Sequence, residues 1–183
     1  MLASKKSAMI ELLGNLKTLV REKFCHNPSI VYIKSSEHTV KDQASGIEFN
    51  VKIMESLNHK PEGQKDSFAG EQQVVKKNPF VPPFEEGQVV CDILDRHRLL
   101  FNKFSVCDDH VLLVTQEFES QLNPLNKSDW LSALVTCKAL DAMLYFNCGF
   151  LSGASIPHKH MQLIPYSSLY NSVLPVEEAA LAV

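Results

Sequence analysis

Residues Gly149 to Pro165 read G-F-L-S-G-A-S-I-P-H-K-H-M-Q-L-I-P, and the alternation near the end of this stretch decides how the rest of the chain is arranged. His158, His160 and Gln162 take every second position, with Lys159, Met161 and Leu163 between them. In an extended segment successive side chains point to opposite faces, so two imidazoles and an amide form a row spaced about 6.6–6.8 Å apart. Just upstream, Ser152, Gly153, Ala154 and Ser155 are small enough for their backbone amides to turn toward a phosphate. An anion-binding bend that runs into an imidazole row points to attack on phosphorus.

Histidines at i and i+2 of a strand also have a metal-ligand spacing, and imidazole suits zinc. Two hydrogen-bonded core histidines would read the same way. Glutamine at the third position favours a nucleophile with a neutral donor beside it, because a side-chain amide is a poor zinc ligand.

Working outward, the chain of 183 residues has room for one domain with a real core, and residues 1–183 are read as one. Its 45% hydrophobic and 21% charged residues are ordinary for a globular protein. A net charge of -3 argues against a nucleic acid held through its backbone, although a nucleotide ligand needs only local amides and a cation or two. No apolar run approaches the roughly 18 residues of a membrane span, and no signal peptide is read at the N-terminus. Five scattered cysteines without a C-x-x-C pair suit reduced thiols and a cytoplasmic location.

The apolar spacing of Met9, Leu12, Leu13, Leu16, Leu19, Val20 and Phe24 predicts an amphipathic helix over about 5–24, stopped at His26-Asn27-Pro28. Val31 to Ile33 is a short strand, and Ile47, Phe49, Val51 and Ile53 alternate as a half-buried one. His38 and His59 are read as surface residues. Residues 55–78 are polar and loop-like, whereas Phe80, Val81 and Phe84 among prolines predict an extended loop pinned by aromatic anchors. Two apolar runs, 88–94 and 97–104, form a hairpin about Asp95-Arg96, and Val111 to Thr115 adds a third strand. A helix follows from an N-cap at Ser128 to about Phe146, with Trp130, Leu134, Cys137, Leu144 and Tyr145 near one face, and Gly149 ends it. The order implies an α+β fold: a mostly antiparallel sheet with helices packed on one side.

Four motifs in sequence, N-P-F-V-P-P-F-E-E (78–86), L-L-F-N-K-F (99–104), H-V-L-L-V-T-Q-E-F-E-S-Q (110–121) and F-N-C-G-F-L-S-G-A-S-I-P-H-K-H-M-Q (146–162), closely resemble the diadenosine tetraphosphate phosphorylases. These ATP adenylyltransferases belong to the histidine-triad superfamily. The resemblance implies a histidine-triad-like fold and phosphorolysis of diadenosine tetraphosphate to ATP and ADP, reversibly, through AMP bonded to His160. It implies that His158 orients the row and donates to phosphate, and that Asn147 with the turn Gly153, Ala154, Ser155, Ile156 holds phosphates and ribose. Asn102 and Lys103 then contact ligand, and Lys60 of L-N-H-K-P resembles a phosphate-binding lysine, with a solvated loop lysine as the equal alternative. It also implies that the chain is the N-terminal part of such an enzyme, a later segment completing the nucleotide pocket.

In the hydrolase branch, which the motif also resembles, histidine stands where this chain has Gln162. An amide donates to a phosphate oxygen but shuttles no proton from water, so the intermediate should wait for phosphate. The expected partners are therefore a dinucleoside polyphosphate, ATP, ADP and inorganic phosphate. No bound cofactor is expected, and Mg2+ would come only as counter-ion of the substrate, since no carboxylate cluster is built to hold it. The competing readings are a related transferase acting on another nucleotide or on adenylyl sulfate, a non-catalytic nucleotide-binding protein, and a zinc protein.

Overall fold

The computed structural model describes residues 2–33, 35–54, 78–169 and 174–181. Its elements run α1 (Leu2–Cys25), β1 (Val31–Tyr32), β2 (Ser35–Lys41), β3 (Glu48–Met54), β4 (Val89–Ile93), β5 (His97–Phe101), β6 (Phe104–Ser105), β7 (Val111–Thr115), α2 (Lys127–Leu140), β8 (Ala142–Tyr145), β9 (His160–Pro165) and α3 (Pro175–Leu181). Five strands form the main sheet in the order β4-β5-β7-β9-β8, every pair antiparallel. The fold is α+β, with the helices on one face of this sheet. No described helix is long and apolar enough to cross a membrane.

Strand alternation divides the residues between the two faces. Toward the helices, Leu99, Leu113, Met161 and Leu163 pack with Leu16, Val20 and Phe24 of α1 and with Ala133 and Leu140 of α2. Toward the other side, Leu100, Leu112 and Val114 lie under Phe80, with Phe84 and Ile156 packed at the margin. The proline-rich segment is thus strapped across the face opposite the helices. Burying a ring such as Phe80 stabilises that arrangement by about 2–3 kcal/mol.

Three sequence expectations are corrected. The apolar strand at 47–53 exists as β3, but it is not half-buried in the core: Phe49, Val51 and Ile53 are 39%, 38% and 52% exposed. It pairs with the polar β2 in a separate two-stranded ribbon.

The long helix begins two residues earlier and ends sooner than its apolar pattern predicts. Asn126, not Ser128, is the N-cap, accepting from the amides of Ser128 and Asp129, while Asp129 accepts from the Asn126 amide. Asp141, left-handed at φ 52°, ends it, and residues 142–145 then form the edge strand β8 rather than more helix. Its buried face carries Asp129, Ser132, Ala133, Thr136 and Leu140, whereas Trp130 and Leu134 are 52% and 64% exposed. Polar groups turn inward because they have buried partners, which a reading of apolar spacing does not register. His38 lies exposed in β2; His59 falls outside the described residues.

Candidate active site

β9 places His160 and Gln162 on the face beneath the strap, opposite Val114 and Leu112 of β7. His158 lies just before the strand, joined through a bridge to Ser120. Its Nε2 lies 2.8 Å from the carbonyl oxygen of Thr115 and its Nδ1 2.9 Å from Asn78 Nδ2. Asn78 Oδ1 accepts from the Phe80 amide, so its Nδ2 is the donor to His158. His158 is therefore neutral with its proton on Nε2, a state that burial favours by lowering its pKa. Both nitrogens are engaged by protein groups. No N–H remains to reach a phosphate, and His158 cannot share a metal with His160 without losing one of these bonds.

What His158 does supply is its backbone oxygen. His160 Nδ1 lies 2.8 Å from it, and a carbonyl can only accept, so the His160 proton sits on Nδ1 and the lone pair on Nε2. Burial lowers the His160 pKa and outweighs the bond to the His158 carbonyl, which opposes it, so the ring is neutral at pH 7. No described residue bonds Nε2. Phe80 packs against the ring, with centroids 5.0 Å apart, and the residue is 7% exposed.

Gln121, to which the sequence reading assigned no role, joins the motif to the small-residue bend. The Gln121 amide is fully buried: its Oε1 accepts from the His160 amide at 2.7 Å, and its Nε2 donates to the carbonyls of His160 and Asn147. Asn147 in turn lies beside Gly153. The bend begins at Gly149 with φ 84° and ψ 177°, a conformation open to glycine and costly for other residues. The amides of Gly153 and Ala154 are consumed within it, donating to Phe150 and Gly149. Those of Ser155 and Ile156 have no partner among the described residues. Of the four expected phosphate-holding positions, these two keep a donor.

The other candidates divide. Asn102 contacts His110, and His110 lies 3.0 Å from Gln162, so it is tied to the motif at one remove. Lys103 donates to both oxygens of Glu85 at 2.7 and 2.8 Å in an exposed ion pair. Lys60 lies outside the described residues. A cleft of about 440 Å3 beside α1, lined by Arg21, Phe24, Tyr32 and Asp108 among others, includes none of these residues.

Behind β9 lies a buried ionic network. Lys159 is 1% exposed, and its ammonium donates to Asp129 at 3.0 Å, to Glu119 at 2.9 Å and to the Pro124 carbonyl. Asp129 also holds His97 Nε2 at 2.9 Å. Burial opposes ionisation of Asp129, but the Asn126 amide, Lys159 and His97 outweigh it and hold the carboxyl below its ordinary range. Burial likewise opposes the charge on Lys159, and its two carboxylates outweigh that and raise its pKa. With the backbone bonds Thr115 N to Lys159 O and Lys159 N to Glu119 O, this network fixes the strand between the two histidines.

The family described as Ap4A phosphorylase N-terminal domain matches residues 11–182. The chain is 32% identical over 168 residues to the diadenosine 5',5'''-P1,P4-tetraphosphate phosphorylase 2 of Saccharomyces cerevisiae, covering 82% of this chain and 50% of that protein. It is 31% identical over 166 residues to Protein APA1 of the same yeast, covering 82% and 49%. Among solved structures, yeast Ap4A phosphorylase Apa2 in complex with Ap4A is similar at a TM-score of 0.72 and 26% identity, covering 90% of this chain and 54% of that one. Its complex with AMP gives 0.69 and 28%, covering 90% and 52%. The chain spans about half the length of the curated relatives it matches.

Proposed function

The chain belongs to the Ap4A phosphorylase N-terminal domain family, and on that premise we propose that it carries the nucleophile of a dinucleoside polyphosphate phosphorylase. The reading is carried by one observation: His160 is a neutral imidazole with its proton held on Nδ1 and its Nε2 lone pair unclaimed by protein.

In the first step Nε2 attacks the α-phosphorus of diadenosine tetraphosphate. The N–P bond forms, the bridging P–O bond breaks, and ATP leaves with the electron pair. The phosphorylated ring is cationic, and the His158 carbonyl stabilises that charge through the retained Nδ1–H. Gln162 donates to a non-bridging oxygen. In the second step an oxygen of inorganic phosphate attacks the same phosphorus from the vacated side, and AMP passes to it as ADP. Both leaving groups are weak bases and phosphate is already anionic, so neither step needs a proton shuttle. An amide at 162 therefore suffices, and water, which needs a base, is disfavoured. His158 acts as a positioning residue rather than as a phosphate donor. Asn147 and the amides of Ser155 and Ile156 are assigned to phosphate and ribose.

Product analysis tests this. Incubation with diadenosine tetraphosphate and inorganic phosphate should yield ATP and ADP, with ATP plus AMP only as a minor pair. Equal yields with and without phosphate would contradict it. A chain that binds the dinucleotide but releases neither pair would favour the binding-protein reading.

A further inference from the structure

Gln162 accepts two hydrogen bonds at one atom. The Tyr145 hydroxyl donates to its Oε1 at 2.8 Å, and His110 Nε2 lies 3.0 Å from the same oxygen. An amide oxygen can only accept, so a neutral His110 facing Gln162 Oε1 carries its proton on Nε2. Asn102 Nδ2 lies 3.3 Å from His110 Nδ1 and 3.5 Å from Nε2, over the ring and not on either lone pair, so it does not make this choice. Burial supports the neutral ring, lowering the His110 pKa to about 4. His110 donates to Gln162 Oε1, and no described residue takes the Gln162 Nε2 protons.

The sheet register says which way the amide is turned. Val114 faces His160 and Leu112 faces Gln162, and His110 is the next residue on that face, beyond Gln162 from His160. The amide oxygen is anchored on the side away from the nucleophile.

We infer that His110 is a positioning residue that fixes the Gln162 side chain with its NH2 group, not its oxygen, presented beside His160. The inference rests on the transferase reading for what the amide does, but not for where it points. Without His110 the amide would be held only by Tyr145, a hydroxyl that accepts as readily as it donates, and either end of the amide would satisfy it. Turned over, the amide would set an oxygen against an anionic phosphoryl group.

Two measurements on the full chain test this. With 15N-labelled histidine, the ring of His110 at pH 7.5 should show a protonated Nε2 and a bare Nδ1. A proton on Nδ1, or a charged ring, overturns the inference whether or not the chain transfers AMP. In transfer from diadenosine tetraphosphate, His110→Leu should lower kcat about 10–100-fold with KM nearly unchanged, less than the roughly 100–1,000-fold of deleting such a donor outright, because the amide stays and only its orientation is lost. His110→Gln keeps an N–H donor near the same place and should recover most of the loss. His110→Leu transferring at the wild-type rate, or His110→Gln no better than His110→Leu at equal thermal stability, overturns it. Failure of the wild-type chain itself to transfer AMP would sink the functional reading and leave the proton position to decide this one.

Discussion

The Nδ1–H of His160 donates to the carbonyl oxygen of His158 at 2.8 Å, and this one bond sets the chemistry of the motif. It works only because His160 and His158 are two residues apart on an extended backbone, which brings ring and carbonyl together. The other nitrogen is left as an unprotonated nucleophile.

Acid should stop the reaction later than an ordinary histidine would. Protonation removes the Nε2 lone pair, and burial holds the His160 pKa below the usual value near 6.5. The rate of AMP transfer to the protein should still exceed half its plateau at pH 6.5 and reach half only below that. A rate already halved at pH 6.5, measured by rapid quench, would contradict this.

Stability should fall over the same range. The unfolded chain protonates its histidines near pH 6.5, while folded His110 takes a proton only near pH 4, so between these values the unfolded state binds more protons. The stabilisation is complete above about pH 6.5 and lost as pH falls toward 4, on the order of 3 kcal/mol from His110 alone. Buried His97, His158 and His160, with pKa values lowered chiefly by burial, add in the same direction. Urea midpoints at pH 7.5 and 5.0 check it; equal midpoints would be the contrary result.

Lys159→Met should cost about 3–5 kcal/mol, because it takes the ammonium from the buried Asp129 carboxylate, while Glu119 keeps Arg96. Pairing it with Asp129→Asn should return part of the loss. Denaturant titration of both variants reads this directly, and a single-variant loss under about 1 kcal/mol would mean that the network is solvated.

Gly149→Ala should cost about 1–3 kcal/mol, since φ 84° with ψ 177° is open essentially to glycine. The added Cβ also meets a Leu122 methyl at 2.7 Å. Leu122 is exposed and can move, but the backbone cannot, so the penalty should persist in a Gly149→Ala, Leu122→Ala double variant.

Gln162→His should raise the ratio of hydrolysis to phosphorolysis about 10-fold or more, because imidazole can take a proton from water and an amide cannot. An unchanged ratio of AMP to ADP product would contradict the role given to the amide.

Much of this was legible in the sequence where a pattern is local. The H-x-H-x-Q alternation, the 88–104 hairpin and the 111–115 strand depend on neighbours in the chain, and they stand where the alternation puts them. What was hidden depends on distant partners. α2 turns Asp129 and Ser132 inward because His97 and Lys159 wait there, and Thr136 because its hydroxyl bonds the Ser132 carbonyl, so the apolar count misjudged its buried face and its end. Gln121 and His110 carry no local signature. Each matters through a bond across roughly 40 or 50 residues, and only the fold brings those ends together. The ribbon of β2 and β3 misled in the opposite sense, its alternation clear but its partner layer absent among the described residues.

The account is tested most directly by intact-mass measurement of the chain after brief incubation with diadenosine tetraphosphate and no added phosphate. The wild type should gain the mass of one AMP, the gain should vanish on adding phosphate, and His160→Ala should show none. An adduct of the same size on His160→Ala, or saturating dinucleotide binding by the wild type with no covalent gain, would contradict the claim that His160 Nε2 is the nucleophile.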